Sequence, residues 1–391
     1  MRWRGWATAG VLAVVAGGGT GAVIVALHAP GSVSSAATVT DTTCASQWGT
    51  APTAAGTRTL TITSGATVPG EVNLDNSSGG VVAEVETLAP GASVQMTITL
   101  SSGTYQFACY LSGKAVTHSP PLTLVGSSGP GPIAVIPVTL EQLAGPDGQY
   151  QAYAAGELSA LAGKVAQIRT DLSNGDLATA RTDWLQAQVD WELAGASYDS
   201  FGPLGQAVDG LPDGLPGGVS DRSFTGLHRL EYGLWHGQSA SSLLTVAARL
   251  AADVSRVQAN LTSPALAGDA ANLPVRAHEI LEDALRDHLS LMDDEGGGAG
   301  YPETYADAQV TRVVLGELAP LISTRAPSLV ATASAQLSTL QNALSATLVN
   351  FQWQPPSAAT RAQRETIDAD TGAVLETLAI VPDILEVSTT R

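Results

Sequence analysis

The chain has 391 residues, which exceeds the usual size of one hydrophobic core and favours two domains. Its 36 acidic residues outnumber the 18 basic ones, and the net charge of −18 argues against binding to nucleic acid or to an anionic lipid surface. A cationic ligand fits this charge better.

The first 30 residues have the pattern of an export signal. Arg2 and Arg4 precede an apolar run over residues 5–27. That run is about as long as a membrane span, roughly 20 residues, so a cleaved signal peptide and a retained N-terminal membrane anchor are both open. We expect an exported, extracytoplasmic protein, in the periplasm or on the cell-surface side of the membrane. Residues 31–43 are rich in Ser, Thr and Ala and are predicted to form a flexible tether.

Residues 44–130 are predicted to form a β domain. Four β-prone segments are separated by turn sequences with Gly and Pro, which predicts short strands in an antiparallel sandwich. Cys44 and Cys109 both lie in this region, and in an exported protein a disulfide is the leading expectation, with thiolate metal ligands as the alternative. The β-prone segments are Arg58–Ile62, Val81–Glu86, Val94–Leu100 and Tyr105–Tyr110.

Residues 131–391 are predicted to form an all-α helical bundle, because their apolar residues recur with a period of about 3.6. Residues 202–218 hold too many Gly and Pro residues for a helix and are predicted to be a long loop. The predicted helices are Tyr150–Arg169, Asp176–Tyr198, Leu243–Leu261, Pro274–Met292, Tyr305–Leu321, Ser328–Asn350 and Thr360–Leu378.

One helix carries a possible metal-binding pair, His228 and Glu231. Residues three apart share a helix face, so an imidazole nitrogen and a carboxylate can converge on one ion. On spacing alone such a pair is more often a surface hydrogen bond. The apolar and aromatic neighbours favour a metal, since an unpaired charge among them would be costly. Because two ligands are too few, Glu192 and Asp209 are the best additional candidates, with Asp199 as a spare.

The sequence GLHRLEYGLW at residues 226–235 resembles the GFHRIE..LW signature of the imelysin-like family. Upstream, residues 191–192 and 208–209 are similar to the family's YE and IDAR segments, although the arginine of IDAR is replaced. Downstream, residues 279–283 resemble the family's ELLDE helix. The resemblance implies a metal site that contains His228, Glu231, Glu192 and Asp209.

The iron-uptake members of this family begin with a cupredoxin-like domain, whose APG turn and YxxxC strand resemble residues 89–91 and 105–109. The resemblance therefore implies a cupredoxin-like sandwich followed by an imelysin-like helical domain. It also implies a non-enzymatic protein that captures iron outside the cell and delivers it to a membrane permease, with a haem peroxidase as second partner. Ligands of this kind are also compatible with zinc or copper.

Two further metal sites remain open. The resemblance places copper or ferric iron in the β domain, but a blue-copper site needs two histidines and His118 is the only one there. The two glutamates of that site alternate with apolar residues, which favours a solvent-facing strand. The residues implied for the β domain are Cys44, Cys109, Glu84 and Glu86, and a second helical site would use His278, Glu282 and His288.

Other functions are alternatives to iron transport. Imelysin relatives have been classed as metallopeptidases, but this chain lacks HExxH, and Tyr232 stands where an HxxEH motif needs its second histidine. A chaperone for copper or another metal with the same fold is the remaining alternative.

Overall fold

The computed structural model describes residues 33–48, 52–126, 129, 131–195, 201–266 and 269–387. The predicted signal segment and Asp199 lie outside the described residues. Within them a β-rich region comes first and a helical domain follows, in the predicted order. None of the described helices is both long and apolar enough to cross a membrane.

The β region consists of two sheets. One has the strand order β2-β1-β4-β7 and the other β3-β10-β8-β5-β6, with β9 paired to β8. Leu60 and Ile62 point inward from alternate positions of β4, and they pack in a core with Trp48 and Phe107. The strands are β1 Val33–Thr40, β2 Thr43–Cys44, β3 Thr53–Ala54, β4 Gly56–Ser64, β5 Gly70–Asn76, β6 Val81–Leu88, β7 Ser93–Leu100, β8 Gly103–Leu111, β9 Thr117–His118 and β10 Leu122–Val125.

Strand β1 lies where the sequence predicts a flexible tether, so that prediction is wrong for Val33–Thr40. The strand pairs in parallel with β4, from Val33 opposite Arg58 to Val39 opposite Ser64. Ala37 and Val39 are buried at alternate positions, as in a strand. The prediction of a tether relied on the high content of Ser, Thr and Ala, and composition does not reveal this alternation. The sheet is consequently mixed rather than purely antiparallel.

The two sheets are joined by a disulfide between Cys44 on β2 and Cys109 on β8. Its ends are 65 residues apart, and a loop of that length corresponds to about 4 kcal/mol of chain-entropy stabilisation. In this bonded state neither sulfur is a thiolate, so the cysteines do not serve as metal ligands.

The first helix of the helical domain begins at Leu140, ten residues before the start predicted at Tyr150. Thr139 caps α1, because its hydroxyl accepts a hydrogen bond from the backbone N–H of Gln142, whose side chain bonds back to Thr139. The helices are α1 Leu140–Asn174, α2 Leu177–Leu193, α3 Gly202–Asp209, α4 Leu227–Trp235, α5 Ala240–Asn260, α6 Leu273–Asp283, α7 Gly300–Ser323, α8 Leu329–Ser345, α9 Arg361–Leu378 and α10 Ile380–Ile384.

Helix α3 corrects the prediction of a loop over residues 202–218 for Gly202–Asp209, whereas residues 210–217 lie outside the helices and strands, as predicted. Pro203 lies in the first turn, where its missing N–H has no intrahelical partner to lose, and Val208 is buried. Asp209 is therefore the last residue of a packed helix rather than part of a loose loop.

The predicted helix Pro274–Met292 changes its geometry halfway. It is α-helical to Asp283 and continues as a π-helical segment, Ala284–His288. The Leu289 N–H accordingly donates to the Ala284 carbonyl at 2.9 Å, five residues back. Such a segment alters which face the following residues occupy, and it ends at His288.

Candidate metal centre

An acidic cavity of about 820 Å³ lies between helices of the C-terminal domain. It is bounded by residues of α2, α3, α4 and α7 and of the segment between α6 and α7. Its lining includes two histidines and several carboxylates: His228, His288, Glu192, Asp209, Asp283, Asp293 and Asp307.

Helix α4 is held against α2 at both ends. The indole N–H of Trp184 donates to the Leu227 carbonyl at 3.0 Å, and Nη2 of Arg181 donates to the Leu234 carbonyl at 2.6 Å. Gly226 precedes α4 with φ +91°, and a Cβ there would run into the Val208 carbonyl. The position therefore requires glycine, and this close approach fixes His228 relative to the end of α3.

His228 lies between two carboxylates. Its Nδ1 is 3.1 Å from Oε2 of Glu231, and its Nε2 is 3.3 Å from Oδ1 of Asp209. His228 and Glu231 are fully buried, whereas the Asp209 side chain remains 23% exposed. The second oxygen of Glu231 accepts backbone N–H bonds from Glu295 at 3.1 Å and Gly297 at 2.7 Å. The structure thus brings three of the four predicted residues together.

Glu192, the fourth predicted residue, lies between Asp209 and His288. Gln188 connects it to Asp209, because Nε2 of Gln188 donates to Oε1 of Glu192 at 2.8 Å and to Oδ1 of Asp209 at 3.1 Å. Oε2 of Glu192 is 3.8 Å from Nε2 of His288. Among the described residues, the groups of three potential ligand atoms within 4.8 Å of one another include Glu192 with His288, but none includes His228.

A second buried cluster surrounds His288, and the sequence prediction missed most of it. Nε2 of His288 is 3.2 Å from Oδ2 of Asp307, and Nδ1 is in short contact with Asp293 and 3.6 Å from Oε2 of Glu303. Glu303 and Asp307 lie one helical turn apart on the buried face of α7. This spacing could have revealed the cluster from the sequence, since two acidic residues at i and i+4 on an apolar helix face need a positively charged partner.

Burial shifts the ionisation of these groups. Burial raises the pKa of Asp209 to about 7 and that of Glu231 to about 7, although His228 acts to lower both. It raises the pKa of Asp307 to about 6 and that of Glu303 well above its usual range. Burial opposes the charge on His228, but Asp209 and Glu231 raise its pKa well above the ordinary value. These carboxyl groups therefore keep their protons to a higher pH than exposed carboxyl groups do.

The other predicted metal ligands do not join the cavity cluster. His278 pairs with Glu282, with 3.4 Å between Nδ1 and Oε2, and neither belongs to a three-ligand group among the described residues. Glu84 lies beside Glu71 and Glu386, while Glu86 is exposed on the same strand. His288 is the member of the predicted second helical site that faces the cavity.

Comparison with known proteins bears on the helical domain. The imelysin family model, named for peptidase family M75, matches residues 148–297. The iron uptake system component EfeO of Yersinia pestis is 24% identical over 305 residues, which are 78% of this chain and 79% of that protein. EfeO of Escherichia coli strain K12 is 23% identical over 78% of this chain and 80% of its own length.

A solved structure described as an iron-regulated protein A precursor from Parabacteroides distasonis aligns with a TM-score of 0.39 and 12% identity, over 64% of this chain and 96% of that one. The imelysin match spans His228 and Glu231 together with Glu192 and Asp209. Residues 148–297 therefore match the imelysin family model, and the chain is similar, over most of its length, to the EfeO components of iron uptake systems.

Proposed function

We propose that this protein is the extracytoplasmic metal-binding component of an EfeO-type iron uptake system, which captures iron in the acidic cavity and delivers it to a membrane permease. The observation that carries the proposal is the double contact of His228, with Nε2 facing Asp209 and Nδ1 facing Glu231. The names of the relatives supply the cargo, iron. The net charge of −18 suits a cation.

In this proposal Nε2 of His228 and the carboxylate of Asp209 hold the ion. Glu192, which Gln188 links to Asp209, would complete the site by moving towards them, since among the described residues no three-ligand group includes His228. Atoms bound to one metal at about 2.1 Å lie about 3.0–3.4 Å apart, and the 3.3 Å between Nε2 and Asp209 fits. Glu231, with one oxygen on Nδ1 and the other on two backbone N–H groups, orients the imidazole. Carboxylates with one imidazole suit iron, and zinc or copper remain chemically compatible.

The remaining assignments follow the same proposal. Residues 1–30 act as an export signal or anchor, residues 44–130 together with strand β1 form a cupredoxin-like domain, and residues 131–391 form the metal-binding domain. The two-sheet β region and its disulfide support the second assignment. An EfeU-type iron permease and an EfeB-type haem peroxidase are the proposed partners, on the strength of the similarity to EfeO.

Isothermal titration of the purified protein with ferrous iron under anaerobic conditions, and with zinc, tests the proposal. His228→Ala should weaken binding by about 100-fold or more, because it removes a ligand whose orientation the site enforces. His236→Ala is the matched control, since His236 is an exposed histidine just after the same helix. Equal affinity in the His228 variant and the control would refute the site.

A peptidase would behave differently from a carrier. We propose binding without hydrolysis, because cleavage requires an open metal position beside a general base, whereas Glu231 is already engaged by three donors. The purified, metal-loaded protein should leave unfolded casein intact. Casein cleavage by the wild-type protein would overturn this part of the proposal if a chelator abolished it and the Glu231→Gln variant did not show it.

A further inference from the structure

His288 repeats the arrangement of His228 on the other side of Glu192. Each imidazole has Nδ1 against one carboxylate, Glu231 for His228 and Asp293 for His288. Each has Nε2 against another carboxylate, Asp209 for His228 and Asp307 for His288. A carboxylate on one ring nitrogen fixes the tautomer and leaves the other nitrogen free to bind a metal.

Three potential ligand atoms lie close together at Nε2 of His288. Nε2 is 3.2 Å from Oδ2 of Asp307 and 3.8 Å from Oε2 of Glu192, and all three ligand atoms lie within 4.8 Å of one another. Ligand atoms on one ion at about 2.1 Å are about 3.0–3.4 Å apart. The 3.2 Å pair is already in this range, and Glu192 would have to move closer to complete the set.

Asp307 supplies an independent observation. Asp307 is 1% exposed and lines the cavity. Its Oδ2 makes no hydrogen bond among the described residues. With the His288 proton on Nδ1, toward Asp293, the lone pair of Nε2 and the oxygen of Asp307 face each other as two acceptors. Two buried acceptors at this distance need either a proton or a cation between them.

The charge of the cluster exceeds what one imidazolium can balance. Four buried carboxylates surround His288, and within the described part of the chain their ion pairs are all made to this one ring. Burying carboxylates is costly unless protons or a cation balance their charge. A divalent cation would offset part of this charge.

We propose that Glu192, Nε2 of His288 and Asp307 bind a second divalent transition-metal ion, with Asp293 orienting His288 and Glu192 lying between the two metal positions. This inference rests on the proposed function in one respect, the position at His228. The saturated protein would then hold two ions per chain, and the two positions would share one carboxylate.

The test is the number of metal ions per chain, measured by equilibrium dialysis of the full-length protein against cobaltous ion. Two ions are expected for the wild type, and one for either His228→Ala or His288→Ala. His278→Ala is the control, because His278 lies on the same helical segment outside the cavity lining, and it should keep two.

The outcomes separate the two proposals. One ion in the wild type that is lost in His228→Ala but kept in His288→Ala would overturn the second position and retain the first. One ion lost in His288→Ala but kept in His228→Ala would support the His288 position and refute the site at His228. No bound ion in the wild type would overturn both.

An isosteric variant guards against misfolding. Asp307→Asn keeps the shape of the side chain and removes its charge, so it should fold, which a cooperative thermal transition would show. The affinity for cobalt at the His288 position is expected to fall by about tenfold or more, and the affinity at the His228 position should not change. Cobalt affinities identical to those of the wild type in a folded Asp307→Asn protein would refute the assignment of Asp307 as a ligand.

Discussion

Glu231 receives three hydrogen bonds, from the imidazole of His228 and from the backbone N–H groups of Glu295 and Gly297. A carboxylate satisfied in this way has little capacity left for an ion. The HxxE spacing predicted correctly that His228 and Glu231 meet on one helix face, but it could not assign their roles. The backbone donors belong to a loop more than sixty residues later in the chain, and no local pattern links that loop to α4.

Glu231→Gln tests the orienting role. The amide oxygen can still accept from the backbone of Gly297, but the amide NH₂ would face Nδ1 of His228 and force the ring proton onto Nε2. Metal affinity should therefore fall by about 10- to 100-fold, with little change in the thermal midpoint. Isothermal titration and calorimetry measure the two quantities, and an affinity within twofold of the wild type would contradict the orienting role.

Elements determine how residues distant in the chain reach the cavity. Periodicity predicted the helices that carry Glu192 and Asp307, because their apolar faces are long and regular. The helix that carries His228 was expected from the spacing of His228 and Glu231 instead. It failed at α3, where Gly and Pro obscured a packed helix, and at the π-helical segment before His288. In both places backbone geometry set by tertiary packing overrides the local pattern, so the cluster around His288 was only partly predictable.

The junction between α3 and α4 depends on Gly226. Gly226→Ala combines a backbone conformation suited to glycine with a clash on the Val208 carbonyl, so it should destabilise the protein by about 3 kcal/mol or more. Gly237→Ala is the control, since Gly237 also has positive φ but its added Cβ meets no atom within 4 Å. Urea denaturation would measure both, and equal losses would show that the contact with Val208 is unimportant.

At the scale of the whole molecule, the β region contacts the end of the helical domain. Val81 bridges to Val135, and Val138 bridges to Val387. Glu386 meets Glu84 and Glu71 at this junction, and burial, then Glu84, raises the pKa of Glu386 to about 7. Composition and periodicity predicted the order of the two regions, but this contact joins residues about 300 positions apart and has no local signature.

The junction predicts a pH dependence of stability. A carboxyl whose pKa is raised on folding stabilises the folded state at low pH, and that contribution is lost as pH rises from about 4.5, the unfolded value, through about 7. Glu386→Gln should raise the thermal midpoint at pH 8 by about 2 °C, after allowance for solvent screening, and leave it unchanged at pH 4. Glu376→Gln, an exposed position on α9, is the control. A rise that is equal at both pH values would contradict the linkage.

The most direct test of the metal centre is anomalous diffraction from crystals of the wild-type protein soaked with cobaltous ion. Data collected on both sides of the cobalt absorption edge locate the metal without reference to affinity. A metal held by His228 should give a peak in the cavity at about 2.1 Å from Nε2 of His228 and in reach of Asp209. Cobalt that binds in solution but gives no peak beside His228 would contradict this assignment.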